Sequence, residues 1–333
     1  MRRPDRPPPL VVAESVSKYF PLHPGVLGAA SRFVRAVDGV SIRVRYGETV
    51  GVVGESGCGK STLGRLMVRL IEPTLGRIVF EGREVTRSTQ GALRPLRRRM
   101  QIVFQNPTSS LNPRMTVRDT IGEAIRIHKL ARNRAEEGDS VVGWLEKVGM
   151  RADAMNLYPH ELSAGQGQRV AIARALVVKP KFIVCDDPTS SLDVSVQAQI
   201  LNLLVELQET MGIAYLLVSH DLAIASHVSH RVAVMYLGRI VEYGAAKDVF
   251  ERPIHPYTQA MVAAAPRLEP GRVRPRLPVI REMPSPTAPP GGCAFRARCP
   301  RAASGVCDRT VPILEELPRG SGHKVACWYP GGA

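Results

Sequence analysis

Aromatic residues are scarce, 5% of the 333 positions, and neither cluster of positive charge, Arg94–Arg99 or Arg267–Arg281, is interleaved with them. Proteins that hold single-stranded nucleic acid stack bases on aromatic rings, so this arrangement argues against a nucleic-acid partner despite a formal charge of +15. A solvated surface is the first reading of the surplus charge, and a bias toward an anionic membrane surface the second. No apolar run approaches the roughly 20 residues that a membrane helix needs. The most apolar windows, such as Val170–Val178 with its Arg174, are broken by charge. The start, Met1-Arg2-Arg3-Pro4-Asp5, leads into prolines rather than an apolar core, so no secretory leader is expected. A cytoplasmic protein is expected, with any membrane role exercised through a partner. Internal repeats are also missing.

What is present is an ordinary globular composition, 44% hydrophobic and 23% charged, long enough for a large domain and a smaller one. One stretch organises it. Gly54-Glu55-Ser56-Gly57-Cys58-Gly59-Lys60-Ser61 fits G-x-x-x-x-G-K-[ST], the phosphate-binding loop. Glu48–Val53 before it predicts a buried strand, and Thr62–Ile71 after it a helix. In that setting glycines let backbone N–H groups point at phosphate oxygens, and the helix N-terminus adds partial positive charge. Lys60 is suited to reach the β- and γ-phosphates, and the Ser61 hydroxyl to hold Mg²⁺.

Along the chain, residues 1–10 are rich in proline and arginine and expected to be disordered. Strands are predicted at Val11–Phe20, Ala36–Val44, Arg77–Phe80 and Gln101–Gln105, with a loop over 21–35 and a basic helix at Ala92–Met100. From about Asn106 to Tyr158 helical periodicity takes over, which predicts an all-helical insertion. Val170–Val178 and Val194–Thr210 read as helices, Lys181–Cys185 and Ile213–Val218 as strands. Val232–Tyr236 and Arg239–Glu242 flank Leu237-Gly238 as in a hairpin. Strands alternating with helices around a phosphate loop imply an α/β fold. After about His255 the composition shifts toward proline, arginine and then cysteine, which marks a candidate boundary.

Phe182-Ile183-Val184-Cys185-Asp186 is an apolar strand ending in a carboxylate, where a Mg²⁺-holding aspartate sits in such folds. Asp187 follows directly, and His220 comes just after the strand Ile213–Val218. Leu162-Ser163-Ala164-Gly165-Gln166-Gly167-Gln168-Arg169 opens a predicted helix with a serine and small residues. That pattern serves either as a plain helix cap or as a second anion site.

Taken in order, the phosphate loop, Gln105, Leu162–Gln166, Asp186, Ser191-Leu192-Asp193 and His220 closely resemble an ATP-binding cassette (ABC) subunit. The resemblance covers roughly residues 11–255. Ser110-Leu111-Asn112-Pro113-Arg114-Met115, Tyr158-Pro159-His160-Glu161, Asp193–Gln199 and His255-Pro256-Tyr257-Thr258 look more narrowly like the oligopeptide/dipeptide importer branch, which includes some nickel importers. The resemblance implies an ABC-type core with an antiparallel β subdomain, a helical subdomain at about 106–170, and a C-terminal extension over 256–333. It implies that two such subunits sandwich ATP, each phosphate loop facing the other's signature segment. In this chain that segment is Ser163, Ala164, Gly165 and Gln166. Phe20 (or Tyr19) would stack on adenine. Gly54, Ser56, Gly57, Cys58, Gly59, Lys60, Ser61 and Thr62 would hold the nucleotide, and Ser61, Gln105 and Asp186 the Mg²⁺. Asp187, Gln105 and His220 would serve hydrolysis, and Ser191 and Asp193 the subunit contact. Implied partners are a homologous second ATPase subunit, two membrane permease subunits and an extracytoplasmic peptide-binding protein reached through the complex. The expected location is the cytoplasmic face of the inner membrane, as a peripheral protein.

Several positions depart from the family pattern. Asp187 stands where the family usually has Glu, one methylene or about 1.5 Å shorter. A displacement of about 1 Å can cost on the order of 10²-fold in rate, so slow hydrolysis at this subunit's own loop is expected. Ala164 stands where Gly is usual, Gly167 where Arg is common, and Asn106 where Asp often follows the glutamine. An alanine is expected to be strained if the backbone there needs a positive φ. These departures suggest a heterodimer with unequal sites. A soluble cassette protein acting on ribosomes or DNA is the rival of another class; it lacks support, because neither a second cassette nor a long coiled coil is present. A non-hydrolysing regulatory subunit is the other rival, supported by Asp187 and Ala164.

Of six cysteines, Cys58 and Cys185 read as packing residues. Cys293, Cys299, Cys307 and Cys327 are spaced C-x5-C-x7-C-x19-C. In a cytoplasmic protein four clustered thiols suggest a metal centre, and by count they suit Zn²⁺ and a [4Fe–4S] cluster equally. The spacing matches neither the short zinc ribbon nor the bacterial ferredoxin run. The sequence around Cys293 and Cys299 resembles the C-terminal extension of peptide-importer ATPases, which carries an iron–sulfur cluster in some members, so the resemblance implies the cluster over zinc.

Overall fold

The computed structural model describes residues 8–22, 33–265, 287 and 291–331. Most of the N-terminal stretch expected to be disordered and the basic cluster Arg267–Arg281 lie outside the described residues.

The strands fall into two sheets whose segments interleave along the chain. β1 (Val11–Pro21) and β2 (Phe33–Val44) form an antiparallel pair, followed by β3 (Thr49–Val53). The phosphate loop then leads into α1 (Lys60–Met67), β4 (Leu75–Phe80) and the short β5 (Arg83–Glu84). α2 (Gln90–Arg97) and β6 (Met100–Val103) come next. A helical stretch holds α3 (Pro107–Ser110), α4 (Val117–Ile127), α5 (Arg134–Lys147) and α6 (Ala164–Leu176). The core resumes with β7 (Phe182–Asp186), α7 (Val194–Met211), β8 (Ala214–Ser219), α8 (Leu222–Val228), β9 (Arg231–Tyr236), β10 (Arg239–Ala245), α9 (Ala246–Glu251) and α10 (Pro256–Ala264). Two two-residue strands close the chain, β11 (Glu315–Glu316) and β12 (Lys324–Val325).

Among the described residues the larger sheet runs β11-β12-β10-β9-β3-β8-β7-β6, and the smaller one β2-β1-β4-β5. β9, β3, β8, β7 and β6 are parallel neighbours. β3, β7 and β8 are buried along their whole length, which is why they read as unbroken apolar runs rather than alternating ones. The exposed smaller sheet alternates instead, as β2 shows. α1 packs on β7 and β8, and Leu63, Leu66 and Met67 bury its inner face. A second apolar cluster joins α4, α5 and α6 through Ile121, Val141, Leu145 and Ile172.

Several element boundaries differ from the sequence expectation for local reasons. β2 begins at Phe33, three residues earlier than expected, because pairing with β1 extends to Pro21↔Phe33. The basic helix stops at Arg97, two residues after the internal Pro95, and Met100 already belongs to a strand. β6 ends at Val103, so Gln105 lies just past the strand at the sheet's carboxyl edge.

The end of the described chain returns to the cassette. β12 pairs antiparallel with β10, placing Val325 opposite Glu242. Phe295 is 2% exposed and packs with Tyr236 of β9 and Tyr257 of α10, the ring centroids 5.3 and 5.4 Å away. Glu242 is wholly buried, accepts the backbone N–H groups of Ile254 and His255 at 2.8 Å, and meets His323 Nε2 at 2.7 Å. Burial drives the His255 imidazole down to about 4, so this ring stays neutral and accepts the Tyr257 N–H through Nδ1.

Candidate nucleotide-binding site

In open α/β sheets ligands sit beyond the carboxyl ends of the strands. Here those ends bring the expected residues together. β3 delivers the phosphate loop, β7 delivers Asp186 and Asp187, β8 delivers His220, and β6 delivers Gln105. An open cleft of ≈ 530 Å³ is lined by Ser56, Gly57, Gly59, Lys60, Ser61, Thr62, Gln105, Asp187 and His220, with Val34 and Ala36 of β2 on the far wall.

The loop's shape rests on glycine at two tight positions. A Cβ at Gly54 would lie 2.2 Å from the Met235 carbonyl oxygen, and one at Gly59 would lie 1.9 Å from that of Ala36. Both also have positive φ, 156° and 106°. Lys60 is 8% exposed and its ammonium donates to the carbonyls of Gly54 and Glu55 at 2.7 and 2.8 Å, bridging the loop it will serve. Cys58 points inward at 1% exposure, 3.8 Å from the Lys60 ammonium, so only its backbone is offered to a ligand.

Ser61 Oγ donates to Asp186 Oδ1 at 2.7 Å. A hydroxyl and a carboxylate facing each other beside a phosphate loop form the hard oxygen donor set that Mg²⁺ requires, so these residues fit that ion. Asp187 Oδ2 meets His220 Nδ1 at 2.8 Å and accepts from Gln105 Nε2 at 3.3 Å. Gln105 also donates to Ser190 Oγ at 3.2 Å. Burial raises the Asp187 carboxyl above its ordinary value, opposed by His220 and Lys60. Asp187 sits at φ 51°, a left-handed conformation that aspartate tolerates better than most residues.

Other expected residues are not among those that line this cleft. Phe20 is 37% exposed near the end of β1, paired with Val34 and capped by Lys18 Nζ at 5.2 Å from its ring. It is not among the residues lining the cleft. Tyr19, its alternative, donates its hydroxyl to Asp38 at 2.7 Å and is held there. Ser163 caps α6: its Oγ accepts the Gln166 N–H at 3.2 Å, while Gln166 Oε1 accepts the Ser163 N–H at 2.9 Å. The reciprocal box is complete within this chain. The strain suspected at Ala164 does not arise, because Ala164 is the first residue of α6 and is not among the residues with positive φ. Gly167 faces Pro107, and a Cβ there would meet that ring at an ordinary 3.5 Å. Asp193 caps α7 through the Val196 N–H at 2.9 Å, and Ser191 is exposed beside it.

The four cysteines of the tail are mutual neighbours. Cys293 N–H donates to the Cys307 carbonyl at 2.8 Å, and burial pushes the Cys327 thiol up to about 11, with the other three thiols adding to the rise. Burial also raises Cys293 and Cys299. Even so, among the described residues no group of three or more Cys, His, Asp or Glu is arranged to hold a metal ion.

Sequence reasoning missed two kinds of contact. Val34 and Ala36 wall the cleft from a neighbouring sheet, and Glu55 is gripped from the tail by Tyr257 and Arg298. Neither has a local signal, since the partners are separated by up to 243 residues.

The ABC transporter family model matches residues 37–190, and the model of the oligopeptide/dipeptide transporter C-terminal region matches 241–307. The probable peptide ABC transporter ATP-binding protein y4tS of Sinorhizobium fredii is 50% identical, over 96% of this chain and 89% of its own. The oligopeptide transport ATP-binding protein AppF of Bacillus subtilis is 45% identical over 94% of both chains. The chain belongs to the ABC transporter family. Within it, the relatives place the chain in the oligopeptide/dipeptide branch. The dipeptide transport ATP-binding protein DppF of Escherichia coli is 43% identical over 96% of this chain and 94% of its own. A dimeric ABC cassette solved in a post-hydrolysis state with ADP and Pi superposes with TM-score 0.64 at 28% identity, covering 71% of this chain and 98% of that one. As a member of this family the chain is an ABC-type ATPase. Among the described residues no helix is long and apolar enough to cross a membrane.

Proposed function

We propose that this chain is the ATP-hydrolysing subunit of a peptide importer, acting at the cytoplasmic face of the inner membrane through permease subunits and an external binding protein. The observation that carries the reading is the convergence of Lys60, Ser61, Gln105, Asp187 and His220 on one cleft, in a chain 43–50% identical to peptide-transport ATPases over nearly its full length. The cassette spans 11–255, with its helical subdomain at about 106–170, and the extension spans 256–333.

The loop amides and Lys60 hold the phosphates, and Ser61 with Asp186 and Gln105 would hold Mg²⁺, which neutralises phosphate charge when bound. Asp187, tied to His220 and Gln105, orients and polarises the attacking water. Ser163–Gln166 and the exposed Ser191–Asp193 turn serve a second ATPase subunit. With Asp187 one methylene short, this is the slower site of a heterodimer. The test is ATP-driven uptake of a labelled dipeptide into vesicles carrying the complete transporter. Uptake that disappears with Lys60→Ala supports the reading. Uptake indifferent to that change overturns it, and ATPase activity lacking in the full complex would favour a regulatory subunit instead.

A second reading concerns the tail. Burial raises the Cys327 thiol and the neighbouring Cys293, Cys299 and Cys307 add to that rise, a repulsion that a bound cation relieves by holding thiolates. Cys293, Cys299, Cys307 and Cys327 are the residues that would hold a [4Fe–4S] cluster, or alternatively Zn²⁺, in a structural role, once drawn into a tighter arrangement than the structure shows. Metal analysis of anaerobically purified protein discriminates: iron with visible absorbance, zinc without it, or neither, which rejects the centre.

A further inference from the structure

Glu55, the second residue of the phosphate loop, is held at every polar group. Its carbonyl accepts Lys60 Nζ at 2.8 Å, and its N–H donates to Tyr257 Oη at 2.9 Å. Its carboxylate takes both ends of one guanidinium: Arg298 Nη1 donates to Oε2 at 2.8 Å and Nη2 to Oε1 at 2.9 Å. Arg298 comes from the far end of the chain, immediately before Cys299, yet its side chain is only 7% exposed. The guanidinium lies over the rings of Tyr236 and Phe295, 5.8 and 5.9 Å from their centroids. Those rings are fixed in the core by Tyr257.

We infer that Arg298 is a positioning residue for nucleotide binding, setting the conformation of the phosphate loop from behind through its two-pronged pair with Glu55. The physical reason is geometric. A bidentate guanidinium–carboxylate pair fixes orientation as well as distance, which a single hydrogen bond does not. Glu55 lies between Gly54 and Ser56, and both Gly54 and Gly57 have positive φ. Glycine flanks give this part of the loop many accessible conformations, and the phosphates need one. Clamping Glu55 at carboxylate and N–H selects that one before the ligand arrives, so less ordering is left for binding to supply.

The inference rests on the nucleotide reading of the cleft, and the experiment separates the two. MgATP binding to the full chain is titrated for the wild type, Arg298→Met, Arg298→Lys, Glu55→Gln and the double variant, alongside thermal unfolding. The expected result is a Kd weakened on the order of tenfold in Arg298→Met, with partial recovery in Arg298→Lys. Glu55→Gln should weaken binding similarly, and Arg298→Met should add little in that background. A purely structural role would lower the unfolding temperature while leaving the Kd of the folded protein unchanged, and that outcome overturns the inference. Additive losses in the double variant also overturn it, because they mean Arg298 acts by another route. If Arg298→Met does not fold, Glu55→Gln carries the test by itself, and an unchanged Kd there is refutation. A wild type that fails to bind MgATP rejects the nucleotide reading itself, a result distinct from all of these.

Discussion

Lengthening Asp187 to glutamate tests the chemistry of the cleft directly. The present carboxylate already reaches His220 Nδ1 at 2.8 Å and Gln105 Nε2 at 3.3 Å, so it is oriented. The further methylene lengthens its reach by about 1.5 Å. Since a misplacement of about 1 Å is worth on the order of 10²-fold, Asp187→Glu should raise turnover substantially, with 10²-fold as the upper bound. The same change works against the backbone. At φ 51° aspartate is tolerated, whereas glutamate costs about 1 kcal/mol more, which lowers the unfolding temperature by roughly 2–4 °C. Faster phosphate release by the assembled complex together with slightly lower stability is therefore the expected signature. Turnover that stays level or falls, in a protein still folded at the assay temperature, refutes the argument that reach limits this site. Asp187→Asn should do the opposite, slowing hydrolysis by roughly 10²–10⁴-fold. Because burial raises the Asp187 carboxyl, its contribution to stability is present below the unfolded-chain value and is lost as pH rises through the raised folded value. At neutral pH the wild type bears that loss and the Asn variant does not. Asp187→Asn should thus melt at a higher temperature near pH 7, and the gap should close on acidification.

Three further outcomes are expected. Lys60→Ala removes charge-assisted bonds worth roughly 1.5–3 kcal/mol each, so MgATP affinity measured by titration should fall at least tenfold. Phe295→Ala empties the ring cluster of Tyr236 and Tyr257; denaturant unfolding should report a loss of about 3–5 kcal/mol, with the tail becoming protease-sensitive. Ser163→Ala removes the cap of α6, costing about 1 kcal/mol in unfolding of the isolated chain, and should slow the ATPase of the complex by more than that stability loss explains.

Local pattern and tertiary placement contributed differently here. The parallel core could be read from sequence because strands buried on both faces must be largely apolar, as residues 50–53 and 182–185 are. The phosphate loop, Asp186 and His220 could be read because each follows such a strand within a few residues. Boundaries were less readable where a partner decided them: β2 begins early only because β1 runs alongside. Ala164 looked strained from its residue type, yet whether alanine is strained depends on φ, and the first turn of α6 supplies an ordinary one.

By itself, then, the order of residues determined which groups could meet a phosphate, since that chemistry lies in short contiguous segments and strand ends. Folding alone decided what stands behind them. The Arg298 grip on Glu55, the hydroxyl of Tyr257 on the same residue, and the seating of Val325 opposite Glu242 each join segments remote in the chain. No spacing rule reaches across such separations, because those contacts exist only once the sheet has brought its edges together.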